Sequence, residues 1–136
     1  MDKTLLPKHL PEFKTLTLLF VADTMRAKWY LLNGREMTKL GSIEHSKPAH
    51  TDSQSRPNMD EIERNDLEHF GKRLAETIIK ETTAVKAKHV ILSVPQRIKS
   101  QFEKHLTPAF KKKITRQHDA NLYRFNGLEV LKLMFK

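Results

Sequence analysis

Leu16-Thr17-Leu18-Leu19-Phe20-Val21-Ala22 is the stretch whose reading decides the fold. It is rich in strand formers and nearly unbroken in apolar character. A strand buried on both faces reads this way, because neither side meets water. His89-Val90-Ile91-Leu92-Ser93-Val94-Pro95 is a second strand of the same kind, ended by its proline. A long helical pattern separates the two, so the second is expected to lie parallel to the first at the sheet centre.

Outward from the first strand, Asp23-Thr24-Met25 makes a tight connection, with the aspartate free to accept a local backbone N–H. Arg26 to Leu32 alternates Ala27, Trp29 and Leu31 with Arg26, Lys28 and Tyr30. That period of two predicts a strand with one wet face. Asn33-Gly34 is a strong hairpin signal. Met37 to Glu44 reads as a third strand, with Met37, Leu40 and Ile43 inward and a bulge at Gly41. Residues 1–14 hold Pro7 and Pro11 without a clear period and read as a loose arm. Residues 45–59 have almost no apolar content and read as a mobile loop.

Asn58 is placed to cap the next helix, with Glu61 at its third position. From Asp60 to Thr82, Ile62, Leu67, Phe70, Leu74, Ile78 and Ile79 recur at helical spacing and form one stripe. Gln96 to Leu106 predicts a second helix with Ile98, Phe102 and Leu106 inward. Thr107-Pro108 fits the cap and first position of a further turn. Lys113 to Gln117 reads as the last strand, and Asn126 caps a final helix. The order β-β-β-α-β-α-β-α predicts an α/β protein. Its expected form is a ribonuclease-H-like mixed sheet: a three-stranded antiparallel meander, then α-β-α-β-α, with helices on the sheet faces. One domain is expected over residues 15–136.

Three of these segments resemble one family. Val21-Ala22-Asp23-Thr24-Met25-Arg26-Ala27-Lys28-Trp29 resembles the strand-opening signature of bacterial host attachment proteins. Phe70-Gly71-Lys72-Arg73-Leu74-Ala75-Glu76 is similar to a helix of that family, and His89 to Pro95 to its later strand. The family is in turn similar to the middle domain of archaeo-eukaryotic release factors and their bacterial relatives. The resemblance implies a ribonuclease-H-like topology and an association with RNA or the ribosome. The family's name implies, as the alternative, a protein-interaction or cell-surface attachment role. Thr24 stands where the family often has glycine. Release factors use a Gly-Gly-Gln tripeptide, and the glycines here are Gly34, Gly41, Gly71 and Gly127. Peptide release by that route is not expected.

Composition narrows the chemistry. A chain of 136 residues buries roughly two thirds of its unfolded surface and needs no staple. The absence of cysteine excludes disulfides, thiolate zinc sites and a cysteine nucleophile. No apolar run approaches a membrane span, and Met1 to Pro7 has no signal core, so a cytoplasmic location is expected. No glycine-rich phosphate loop and no serine elbow is present. The seven histidines, His9, His45, His50, His69, His89, His105 and His118, form no pair at helical metal spacing. No cofactor and no metal is implied, and no catalytic residue is assigned. Asp23 and Asp119 would be the strand-end carboxylates of a metal-dependent nuclease, a less favoured reading.

Charge supplies the functional expectation. The net charge is +9. Residues 86–118 carry nine bases against Glu103 alone. Such asymmetry points to a polyanion, nucleic acid first and an anionic membrane surface second, with an acidic protein or glycan surface as a further partner. Arg97, Lys99, Lys104, Lys111, Lys112, Lys113 and Arg116 are the expected phosphate contacts. Arg26, Lys28 and Tyr30 are a secondary set, because basic and aromatic side chains alternating on a strand suit an RNA backbone. The plain alternative is a solvated lysine-rich face. The expectation is a non-catalytic binding module acting through one basic patch.

Overall fold

The computed structural model describes residues 3–45 and 59–136, with the backbone alone for 59–64. It is a mixed α/β fold. The strands are β1 (Lys3–Leu5), β2 (Phe13–Ala22), β3 (Arg26–Gly34), β4 (Glu36–Glu44), β5 (His89–Ser93) and β6 (Ile114–His118). The helices are α1 (Met59–Val85), α2 (Gln96–Glu103), α3 (Pro108–Lys111) and α4 (Gly127–Met134). The strands form one sheet in the order β1-β4-β3-β2-β5-β6. β2, β3 and β4 pair antiparallel in succession, whereas β5 runs parallel to both β2 and β6. Residues 46–58 of the loop expected over 45–59 lie outside the described residues, as do the Asn58 cap and the Glu61 side chain, and Met59 already belongs to α1. No helix among the described residues is long and apolar enough to cross a membrane.

The unbroken apolar run of β2 has a direct cause. Leu18, Phe20 and Ala22 face one core, with Phe70, Leu74 and Ile78 of α1, Ile98 and Phe102 of α2, and Phe110 of α3. Leu19 and Val21 face the other, with Val130, Leu131 and Met134 of α4. Alternate residues point to opposite faces, and both faces are covered, so every position must be apolar. Each fully buried Leu or Phe contributes about 1.5–3 kcal/mol. The caps expected for the last two helices are formed. Thr107 Oγ1 accepts from the Phe110 N–H at 3.1 Å, and Asn126 Oδ1 from that of Glu129 at 2.9 Å.

Two expectations need correction. The N-terminal arm is docked, not loose. β1 pairs with β4, and Leu6 and Leu10 are buried in the α4-side core. Arg35 Nη1 fixes the turn by donating to the carbonyls of Pro7 and Leu10, each at 3.2 Å. The face carrying Arg26, Lys28 and Tyr30 is also not simply wet, because the segment leading into α4 covers it. Tyr30 is only 7% exposed and belongs to the core.

Smaller differences concern turns. Asn33 pairs with Glu36, so the loop positions between β3 and β4 are Gly34 and Arg35. Only Gly34 has positive φ, at 64°, which fits a turn with glycine first instead of the Asn-Gly form. In β4 the register passes from Trp29↔Gly41 to Tyr30↔Lys39, so Leu40 and Gly41 together oppose Trp29. This bulge flips the strand's facing. Met37 therefore enters the α4-side core, whereas Ile43 packs on the α1 side.

Gly41 serves the bulge by lacking a side chain. A Cβ there would stand 2.8 Å from Cζ2 of Trp29, which is stacked on Phe20 at 5.7 Å. Gly41→Ala is expected to lower stability by about 1–3 kcal/mol, read as a reduced urea midpoint. An unchanged midpoint would show that Trp29 is not held there by its packing.

Candidate nucleic-acid interface

Strands that run the same way start on the same rim, and here each of the three parallel strands has lysine at its entry. Lys14 is the second residue of β2. Lys88 stands before β5, and its N–H donates to the Leu16 carbonyl at 2.9 Å. Lys113 stands before β6, and its carbonyl accepts from the Val90 N–H at 2.8 Å. Those two bonds bring the three strand entries side by side. Lys86 joins them because α1 ends in a left-handed residue, Lys86 itself, with φ 57°. The Ala87 N–H returns to the Thr82 carbonyl at 3.0 Å, closing the helix and turning the chain toward β5. α2 starts just past the exit of β5 and α3 ends at the entry of β6, so Lys104, which follows α2, lies on the path between the two rims. Lys111 and Lys112 lie at the end of α3 and just after it.

Lys14, Lys86, Lys88, Lys104, Lys111, Lys112 and Lys113 are all exposed. Among the described residues no ion pair holds any of these seven. The acids on the same segments are Glu12, Glu81 and Glu103. Like charges gathered without internal partners repel, and an external polyanion relieves that repulsion.

The remaining expected contacts lie elsewhere. Arg97 and Lys99 sit in the first turn of α2, beside the strand exits. Lys99 Nζ is 3.3 Å from Asp119, just beyond β6. The five residues of β6 separate this end from Lys113 by ~16 Å. Arg116 projects on the α4 side, where Nη1 donates to the Met134 carbonyl at 3.1 Å and the guanidinium lies 4.1 Å from the Phe135 ring centroid. The bases of residues 97–116 therefore do not form one patch. The triple lysine shares a rim with Lys86 and Lys88, and Lys104 lies on the approach to it. Sequence reasoning counted Lys86 and Lys88 in the charge of residues 86–118 without naming them as contacts, and it missed Lys14 altogether. The signal for Lys14 was its place at the entry of a buried strand, the place that Lys88 and Lys113 also occupy.

The secondary set is built into the fold. Lys28 Nζ donates to the carbonyls of Tyr123 and Phe125, at 2.7 and 2.6 Å. Arg26 and Lys28 both lie over the Tyr123 ring, at 4.4 and 4.7 Å. Burial pushes the Lys28 pKa down, and Lys39 and Arg26 push it the same way. The Tyr30 hydroxyl is pushed up, chiefly by burial, against an opposing hydrogen bond to the Gly127 backbone. Lys28 thus ties the segment before α4 to the sheet.

The strand-end carboxylates are likewise engaged. Asp23 Oδ1 accepts from the backbone N–H groups of Met25 and Arg26, and Oδ2 lies 2.8 Å from Arg26 Nη2. Asp119 is held by Lys99. His45 Nε2 lies 3.4 Å from Asp66. Among the described residues no three metal-ligating side chains of His, Asp or Glu come together.

Lys28→Met leaves two carbonyls without their donor. It is expected to lower stability by about 1–3 kcal/mol and to speed hydrogen exchange across residues 119–126. Unchanged stability and exchange would show that Lys28 is not the tie.

No protein-family model matches the chain, and no curated protein matches it. Among solved structures it is similar to one described as "Archaeal protein", at 15% identity and a TM-score of 0.47. That similarity covers 91% of this chain and 37% of the other, so the chain spans little more than a third of its neighbour's length.

Proposed function

We propose that this chain is a non-catalytic module of the host attachment type that holds the phosphate backbone of RNA, free or on the ribosome, along its lysine rim. The observation that carries the reading is the convergence of Lys14, Lys86, Lys88, Lys111, Lys112 and Lys113 where the parallel strands begin, with Lys104 on the approach to them. The strand order β4-β3-β2-β5-β6, with β2 central and β5 and β6 parallel to it, supports a ribonuclease-H-like topology bearing one extra edge strand, β1. That topology is the one implied by the resemblance at Val21 to Trp29. Lysine is a flexible point charge and suits phosphate contact more than the reading of bases. Each phosphate neutralised releases counterions, so binding should weaken steeply with salt.

The test is fluorescence anisotropy with a labelled RNA over a salt series. Replacing Lys111, Lys112 and Lys113 together by alanine is expected to weaken binding about tenfold or more at low salt and to flatten the salt slope by about 2. Replacing Arg97 and Lys99 by alanine should change affinity by only about twofold, because they lie at the far rim. Equal losses in the two variants would remove the rim from the account. Undiminished binding by the triple variant would do the same. Binding to acidic protein or glycan with no RNA affinity would favour the attachment role.

A further inference from the structure

We propose that the groove beside the lysine rim takes one unpaired nucleotide of the same RNA, so that the chain prefers single-stranded RNA to duplex. The inference rests on the RNA reading above and goes beyond it to the form of RNA bound.

The groove lies on the α4 side, at the entries of β2, β5 and β6, and has a volume of about 480 Å³. That falls within the usual range of about 300–1,000 Å³ for ligand pockets. Phe13 and Phe135 stand edge to face, with centroids 6.2 Å apart. Arg116 lies over Phe135 at 4.1 Å and is held by its bond to the Met134 carbonyl. Arg116 and Phe135 both line the groove, so the ring and the guanidinium over it are together at its wall. Aromatic rings and arginine planes are the surfaces on which unstacked bases settle. His89 and Thr115, also in the lining, supply hydrogen-bonding groups for a base edge.

The second observation is continuity with the rim. Lys14 belongs to the groove wall. Lys88 precedes His89, and Lys113 stands two residues before Thr115. A base in the groove would therefore leave its own phosphate on the lysines. A paired base is stacked in its helix and cannot enter without being drawn out, which costs free energy that a single strand does not spend. The rim alone would serve either form of RNA, and the groove adds to one. This accounts for Arg116, which the rim does not use.

The test compares a labelled single-stranded oligoribonucleotide with a blunt-ended duplex of the same length, in anisotropy at about 100 mM salt. The single strand is expected to bind about tenfold more tightly. Arg116→Lys keeps the charge and removes the plane, and Phe135→Leu keeps the bulk and removes the ring. Each should erase most of that preference while leaving duplex affinity within about twofold, with circular dichroism reporting the fold. Adenosine monophosphate at millimolar concentration should displace the single strand weakly. Equal affinity for the two RNAs, unmoved by both variants, overturns the groove and leaves the rim standing. Adenosine monophosphate binding as tightly as the single strand overturns RNA as the groove's occupant in favour of a free nucleotide. Binding of neither RNA overturns the reading of the rim, and the groove with it.

Discussion

The parallel pairing of β5 with β2 is the interaction on which the rest depends. It sets Thr17 beside His89 and carries the register through to Val21 and Ser93. Once β5 is fixed, β6 takes its place in parallel on the far side, beginning at Val90↔Ile114. Three strands then start at one rim and end at the other. Lysine stands at each entry, and beyond the exits lie the turn at Asp23, the Pro95 start of α2, and Asp119. The gathering of lysines at the entry rim is thus a consequence of strand direction. An antiparallel β5 would send Lys88 to the opposite rim.

That pairing is stable only because both faces of β2 and β5 are covered. α1, α2 and α3 cover one, and α4 with the docked N-terminal turn covers the other. The two sides are held differently. The α1 side is an apolar contact dominated by Phe20, Phe70 and Phe102. The α4 side adds polar ties through Lys28, Arg35 and Arg116, each donating to backbone carbonyls. A cation bonded to carbonyls in a partly dry setting costs desolvation, which the lowered pKa of Lys28 records. Its return is to hold irregular chain against a sheet.

Much of the architecture was legible because its signals are local. The apolar runs at Leu16 to Ala22 and His89 to Ser93 announce buried strands. Thr107-Pro108 and Asn126 announce helix starts, since a cap is chemistry within a few residues. The docking of Leu6 and Leu10 was not legible, because two leucines among prolines show no period and their partners are distant in the chain. Tyr30 looked exposed for a similar reason. Alternation in β3 names its two faces but cannot say that residues 119–126 return to cover one. The basic patch failed in the same way. Arg97, Lys104 and Arg116 are near one another in sequence, but Arg97 lies at the strand exits, and a register shift in β6 between Ile114 and Arg116 turns Arg116 to the α4 side, so they part in space. Lys14 lies far from residues 86–113 in sequence and joins them only through the sheet.

Lysine-reactive acetylation read by mass spectrometry, with and without RNA, tests the central claim most directly. Lys14, Lys86, Lys88, Lys104 and Lys111 to Lys113 are expected to be shielded together, while Lys39, Lys72 and Lys99 keep their reactivity. Shielding spread evenly over all lysines, or confined to those last three, would contradict a lysine rim built by strand direction.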